Sequence, residues 1–120
     1  MIKTKDLTGA ALDWAVARAV GLDEPLHIRS SEPRVWTADH SFGYSPSTNW
    51  AHGGPLIEKY QVIYRHHVGC VEACCMTGEI GVNRKRAAPV KGVTLLEAAC
   101  RSIVALKLGA NVEIPKELIT

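Results

Sequence analysis

Apolar positions recur at helical spacing near both ends of the chain and at strand spacing between them. In "LTGAALDWAVARAVG" (7–21), Leu12, Ala15, Val16 and Ala19 form one stripe, with Asp13, Ala17 and Arg18 lying away from it. Thr8 stands where an N-cap is wanted, and Gly21 follows the run where a left-handed cap ends a helix. In "TLLEAACRSIVALKLG" (94–109), Leu96, Ala99, Cys100, Ile103 and Leu106 make the buried face. Thr94 and Glu97 have capping-box spacing, Lys107 suits the helix C-terminus, and Gly109 stops the run.

Between the two helices the pattern is mostly strand. "RVWTA" (34–38) is short and β-prone, and "YQVIYRHH" (60–67) mixes β-branched and aromatic residues. "CVEACCM" (70–76) alternates Val71, Ala73 and Cys75 against Glu72, Cys74 and Met76. Gly69 sits between the last two segments, so they predict a hairpin. Residues 77–93 carry Gly, Pro and the basic run of Arg84, Lys85, Arg86 and Lys91, and read as a long loop. Pro115 forbids a long helix through the tail. The expected architecture is α+β: a small antiparallel sheet of about three strands, packed by two α-helices, with a long polar loop.

Composition adds limits. The 120 residues suit one domain, and 47% hydrophobic with 22% charged residues is ordinary for a folded soluble chain. A net charge of +2 gives no argument for nucleic acid, and the 94–109 helix offers only Arg101 and Lys107 outside its stripe. No apolar run reaches the roughly 20 residues that span a bilayer, and "MIKTKDLTG" lacks a secretory apolar region. The expectation is a cytoplasmic protein with no membrane partner, its four cysteines reduced. "HHVGCVEACC" holds His66, His67, Cys70, Cys74 and Cys75, yet on a strand Cys70 and Cys74 stand ~13 Å apart, too far to share one zinc ion. No metal and no cofactor are expected. Few aromatics in a small sheet leave room for a homo-oligomer.

The distinctive chemistry lies in "YSPSTNWAHGGPLIE" (44–58). Ser45-Pro46-Ser47-Thr48 is turn-prone, and "GGPLIEKY" predicts a short helix with Gly54 near its N-cap and Pro55 at its first position. A helix start leaves amides unpaired and carries partial positive charge, so it can seat an anion, and Gly53 and Gly54 let a ligand approach the backbone. Ser45, Ser47, Thr48 and Asn49 offer hydrogen bonds, His52 a possible cation, and Tyr44 and Trp50 flat surfaces for a base. Arg84 and Arg86 could close over the ligand from the long loop, although a solvated loop is the preferred reading of that basic run. The 44–58 segment also has a purely structural reading, with its hydroxyls satisfying its own backbone. Neither GxxxxGK[ST] nor GxGxxG is present, no GxSxG elbow appears, and nothing fixes Asp39 and Glu58 as a catalytic pair. These absences favour a binding protein over an enzyme.

Three words in order, "LTGAALDWAVARAVG", "YSPSTNWAHGGPLIE" and "LLEAACRSIVALKLGANVEIPKEL" (95–118), resemble the phage NinX-like family, a domain of tailed phages and prophages with no firmly assigned activity. Members of that family usually carry an acid where Asn49 stands and often Gln where His52 stands, so a family role for that acid does not transfer here. The resemblance implies phage or prophage origin and action in the bacterial cytoplasm. Combined with the loop, it suggests a non-enzymatic accessory protein that binds a small polar or nucleotide-type ligand, with sequestration of a host defence signal as one use. The alternative is a protein-interaction module that takes a host or phage protein through the same loop.

Overall fold

The computed structural model describes residues 2–21, 27–28, 35–36, 43–77, 82, 85–115 and 118. Strand β1 (Ile2–Lys3) leads through a 3-10 turn (Thr4–Asp6) to α1 (Gly9–Ala19). Two short strands, β2 (His27–Ile28) and β3 (Val35–Trp36), precede α2 (Trp50–Lys59). Strands β4 (Val62–His67), β5 (Cys70–Thr77), β6 (Lys85–Arg86) and β7 (Val90–Gly92) follow, then α3 (Leu95–Leu108) and β8 (Asn111–Val112). The fold is α+β, as the alternation of periods implies.

β5 is the centre of the main sheet. β4 pairs along one side of it in unbroken antiparallel register, Val62 opposite Cys75 through His67 opposite Cys70, closed by the two-residue turn Val68-Gly69. Gly69 takes φ +82°, the left-handed conformation that such a turn requires and that a Cβ disfavours. β6 and β7 both pair with the other side of β5. The sheet therefore has four strands, and the expected long loop at 77–93 supplies two of them. Lys85-Arg86 and Val90-Lys91-Gly92 are too short and too charged to show a strand period. β2 and β3 form a separate two-stranded ribbon, and the rest of the expected "RVWTA" strand lies outside the described residues. β1 pairs with β8, tying the chain's two ends together.

Helix α3 is the core. Leu96 and every residue from Ala98 to Val104 are buried, because the helix packs on β5 and β7 on one side and on α1 and α2 on others. Its amphipathic stripe is thus an incomplete description; a helix covered all round must carry small or satisfied side chains on its remaining faces. Ala98 and Ser102 fill that role, with Ser102 Oγ donating to the Ala99 carbonyl at 2.7 Å. Arg101, expected outside the stripe, is buried as well. Its Nε donates to the Leu7 carbonyl and one terminal nitrogen to the Lys91 carbonyl, both at 2.8 Å, while the other lies 3.4 Å from Glu97. One guanidinium so joins the start of α1, β7 and α3.

The caps expected for α1 and α3 stand in the expected positions. Thr94 Oγ1 accepts the Glu97 amide at 3.1 Å, and Glu97 accepts the Val93 amide in return. Thr8 is the N-cap residue of α1 but its side chain makes no capping bond. Replacing Arg101 by Ala removes the donors for one buried and one part-buried carbonyl and takes the cation away from Glu97. Chemical denaturation of Arg101→Ala is expected to show a loss of roughly 3 kcal/mol. Arg101→Lys, which cannot span both carbonyls with a planar fork, should recover less than half of it.

Candidate functional site

The 43–49 segment is a closed turn. The Ser45 carbonyl accepts the amides of Thr48 and Asn49, and Pro46 is fully buried. Asn49 then caps α2, its side chain accepting the Ala51 amide at 2.9 Å. The helix therefore starts at Trp50, five residues before the expected Pro55. Ser, Thr and Asn lead as N-caps and Gly follows, so Asn49 outcompetes Gly54 for the cap. Gly53 and Gly54 lie inside the helix, and Pro55 is an internal helical residue. The Gly53 amide donates to the Asn49 carbonyl at 2.9 Å and is not directed outward.

Gly53 serves close packing instead. A Cβ there would overlap the Pro46 carbonyl oxygen and lie 2.7 Å from Leu96 Cδ2, so α2 rests with bare backbone on the turn and on α3. Gly54 differs: a Cβ would meet only the Trp50 ring, at 3.6 Å.

The remaining predicted residues divide into two groups. Tyr44 is buried, 4% exposed, with its ring 5.4 Å from that of His52; burial pushes its hydroxyl pKa up. It is a core residue and cannot offer a face to a ligand. His52 Nδ1 accepts the Ser45 amide at 3.0 Å, the role of the neutral ring rather than of a cation. Ser45, Tyr44, His52 and Gly53 thus brace the turn. Arg84 lies outside the described residues, and Arg86, on β6, borders a hollow with Tyr64, Arg65 and Glu72.

Ser47, Thr48 and Trp50 belong to the second group. They line a cleft of about 310 Å³ together with Gly9, Thr94, Leu95, Leu96 and Glu97. Gly9 begins α1, Trp50 begins α2 and Leu95 begins α3, so three helix N-termini meet in one place. Each carries roughly half a positive charge. Converging like ends is unfavourable in isolation, and an anion between them relieves it. Among the described residues the one carboxylate in the lining, Glu97, is engaged by Arg101 and the Val93 amide. Trp50 is 57% exposed at the rim. Larger open hollows border Trp14 and Arg18 (about 520 Å³) and Lys5 and Lys91 (about 570 Å³); the second also touches the starts of α1 and α3, at Thr8 and Glu97, but not that of α2.

Beneath the cleft lies a residue that the helical period hid. Asp13, read as lying off the apolar stripe of α1, is buried, and its Oδ1 accepts the Ser47 amide at 2.9 Å. Burial pushes its pKa up to about 6, against the lowering effect of Ser47. The Ser47 hydroxyl lies against the same carboxylate but, though buried, has no bond of good geometry among the described residues. Cys100 shares this interior, and desolvation raises its thiol pKa. Among the described residues no three of His, Cys, Asp and Glu are grouped to hold a metal ion.

Two outcomes follow from this geometry. Gly53→Ala is expected to lower stability by roughly 3 kcal/mol through overpacking, whereas Gly54→Ala should raise it by about 0.5–1 kcal/mol; urea melts of the pair decide the point. For Asp13 the folded state holds its proton to higher pH than the unfolded chain, so stability is full below about pH 4 and falls as pH rises through about 6. With a shift of about two pH units the penalty is about 3 kcal/mol at neutral pH. Asp13→Asn keeps an oxygen for the Ser47 amide, and its stability is expected to be flat over that window where the parent's declines.

The comparisons agree with the resemblance seen in the sequence. The family model described as bacteriophage P22, NinX matches residues 3–107, a span that takes in all three helices but for the last turn residue of α3. A search of curated proteins finds no match. Among the described residues no helix is long and apolar enough to cross a membrane. The match covers most of the chain, and this protein belongs to the phage P22 NinX family.

Proposed function

We propose that this phage-family protein binds a small anionic ligand, of nucleotide type, in the cleft at the three helix N-termini, and acts in the bacterial cytoplasm by holding that ligand rather than converting it. The observation that carries this reading is the meeting of the first turns of α1, α2 and α3 beside Ser47 in one cleft. A phosphate there meets first-turn amides, including those of α1, where Thr8 supplies no side-chain cap. Thr48 is exposed at the same rim, and the Trp50 indole provides a face for a base. The site is thus shifted from the Gly53-Gly54 amides to the ends of the helices. Sequestration of a nucleotide signal of the host's defence fits a binding cleft in a phage protein. Among the described residues its lining holds no imidazole, and its carboxylate is paired, which supports retention over hydrolysis.

The exposed indole would equally anchor a partner protein, so the test must separate the two. Thermal unfolding is measured with inorganic phosphate, mononucleotides and cyclic dinucleotides against chloride of equal ionic strength. A ligand at about 100 times its Kd adds about 2.7 kcal/mol and raises Tm by several degrees. Trp50→Ala is expected to lose the extra rise given by a nucleotide over phosphate, and the ligand should be recovered unchanged after denaturation. No rise with any anion, together with a host protein retained by the parent and lost by Trp50→Ala, would transfer the role to protein interaction. Recovery of an altered nucleotide would make the protein an enzyme.

A further inference from the structure

The two flanks of β5 are built differently. On one side, β6, β7 and their connection carry Lys85, Arg86, Pro89 and Lys91, the residue types that keep a sheet edge from pairing with another chain. On the other side β4 is six residues long, in unbroken register without a bulge, and Arg65 is its one permanent charge. Among the described residues no strand pairs with the outer edge of β4. Val62 is buried in the core, and from Ile63 onward its side chains are exposed on both faces, Ile63 at 39% and Tyr64 at 52%. The segment is thus β-branched and aromatic, extended and unguarded.

We propose that β4 pairs antiparallel with β4 of a second copy of this chain, about a two-fold axis that passes through Tyr64 and joins the two sheets into one. A two-fold axis perpendicular to the sheet keeps each face on its own side, so opposite residues must share a face and the axis must pass through a residue. Charge and strand length choose among the possibilities. An axis at Arg65 sets two guanidiniums directly opposite each other, which destabilises. An axis at Ile63 or at His66 runs β4 off one of its ends, which are Val62 and His67. The axis at Tyr64 pairs Val62 through His66, places the two Tyr64 rings opposite each other, and sets Arg65 of each copy against Ile63 of the other. Val62, Tyr64 and His66 share a face with Cys75, whose Sγ lies 3.6 Å from Ser102 Oγ of α3. The Tyr64 rings therefore fill the helix-bearing side, in the gap between the two α3 helices. Tyr64 already meets His66 edge-on at 5.5 Å, which fixes the ring for that role.

Sedimentation equilibrium over a wide concentration range tests the proposal. The parent is expected at twice the 13.0 kDa chain mass. Tyr64→Lys, which brings two ammonium groups together on the axis, should weaken self-association at least tenfold with an unchanged circular dichroism spectrum. Val68→Lys, at the hairpin tip outside the paired segment, should remain dimeric. Tyr64→Cys is expected to give an oxidised covalent dimer that the parent, with its own four thiols, does not. A monomeric parent, a dimer that survives Tyr64→Lys, or a Tyr64→Cys chain that fails to cross-link would each overturn it. Nucleotide binding is read separately, by the thermal shift of monomeric Tyr64→Lys, so failure here leaves the cleft untouched.

Discussion

The start of α3 is approached by two stretches of backbone so closely that neither can carry a side chain. Gly92 of β7 lies where a Cβ would fall 2.6 Å from the Ala98 amide nitrogen, and Gly53 of α2 lies against Leu96 and the Pro46 carbonyl. These contacts fix how the sheet and the second helix sit on the central one. Protein interiors pack like crystals, so removing this freedom at two points determines the positions of the elements that follow from it. The meeting of three helix N-termini in one cleft is a consequence. α2 reaches α3 through Gly53, and the turn before α2 reaches α1 through the Ser47 amide and Asp13.

The buried polar groups support the same arrangement. Arg101 and Asp13 are both enclosed, and each is held by backbone from another element: two carbonyls for the guanidinium, one amide for the carboxylate. The two differ in cost. Arg101 has hydrogen bonds at two of its nitrogens and Glu97 beside it, whereas Asp13 has one strong bond and a pKa pushed up to about 6 by desolvation.

The 44–58 loop shows how far residue types lead. Three residues that its composition singles out, Ser47, Thr48 and Trp50, share a cleft. The order of the segment misleads about the rest. Gly-Gly-Pro resembles a helix start because Gly is accepted at N-caps and Pro at the first position, yet Asn49 is the stronger cap and begins the helix earlier. Tyr44 and His52 are likewise polar-capable residues that the fold turns inward. Sequence marks each residue's capacity for contact; the direction in which the side chain points depends on neighbours remote in the chain.

What the sequence determined by itself was local. The periods of α1, α3, β4 and β5, the Thr94 cap, the stops at Gly21 and Gly109 and the hairpin at Gly69 all rest on interactions within a few residues, and each is found in place. The phage family was also legible, because three ordered words span the chain. Only the tertiary structure decided that α3 is covered on every side, that Arg101 and Asp13 are interior, and that β6 and β7 come from an apparent loop. It alone decided that Gly9, Ser47 and Thr94 meet. These outcomes depend on which backbone atoms face each other across contacts distant in sequence, and neither periodicity nor composition carries that information.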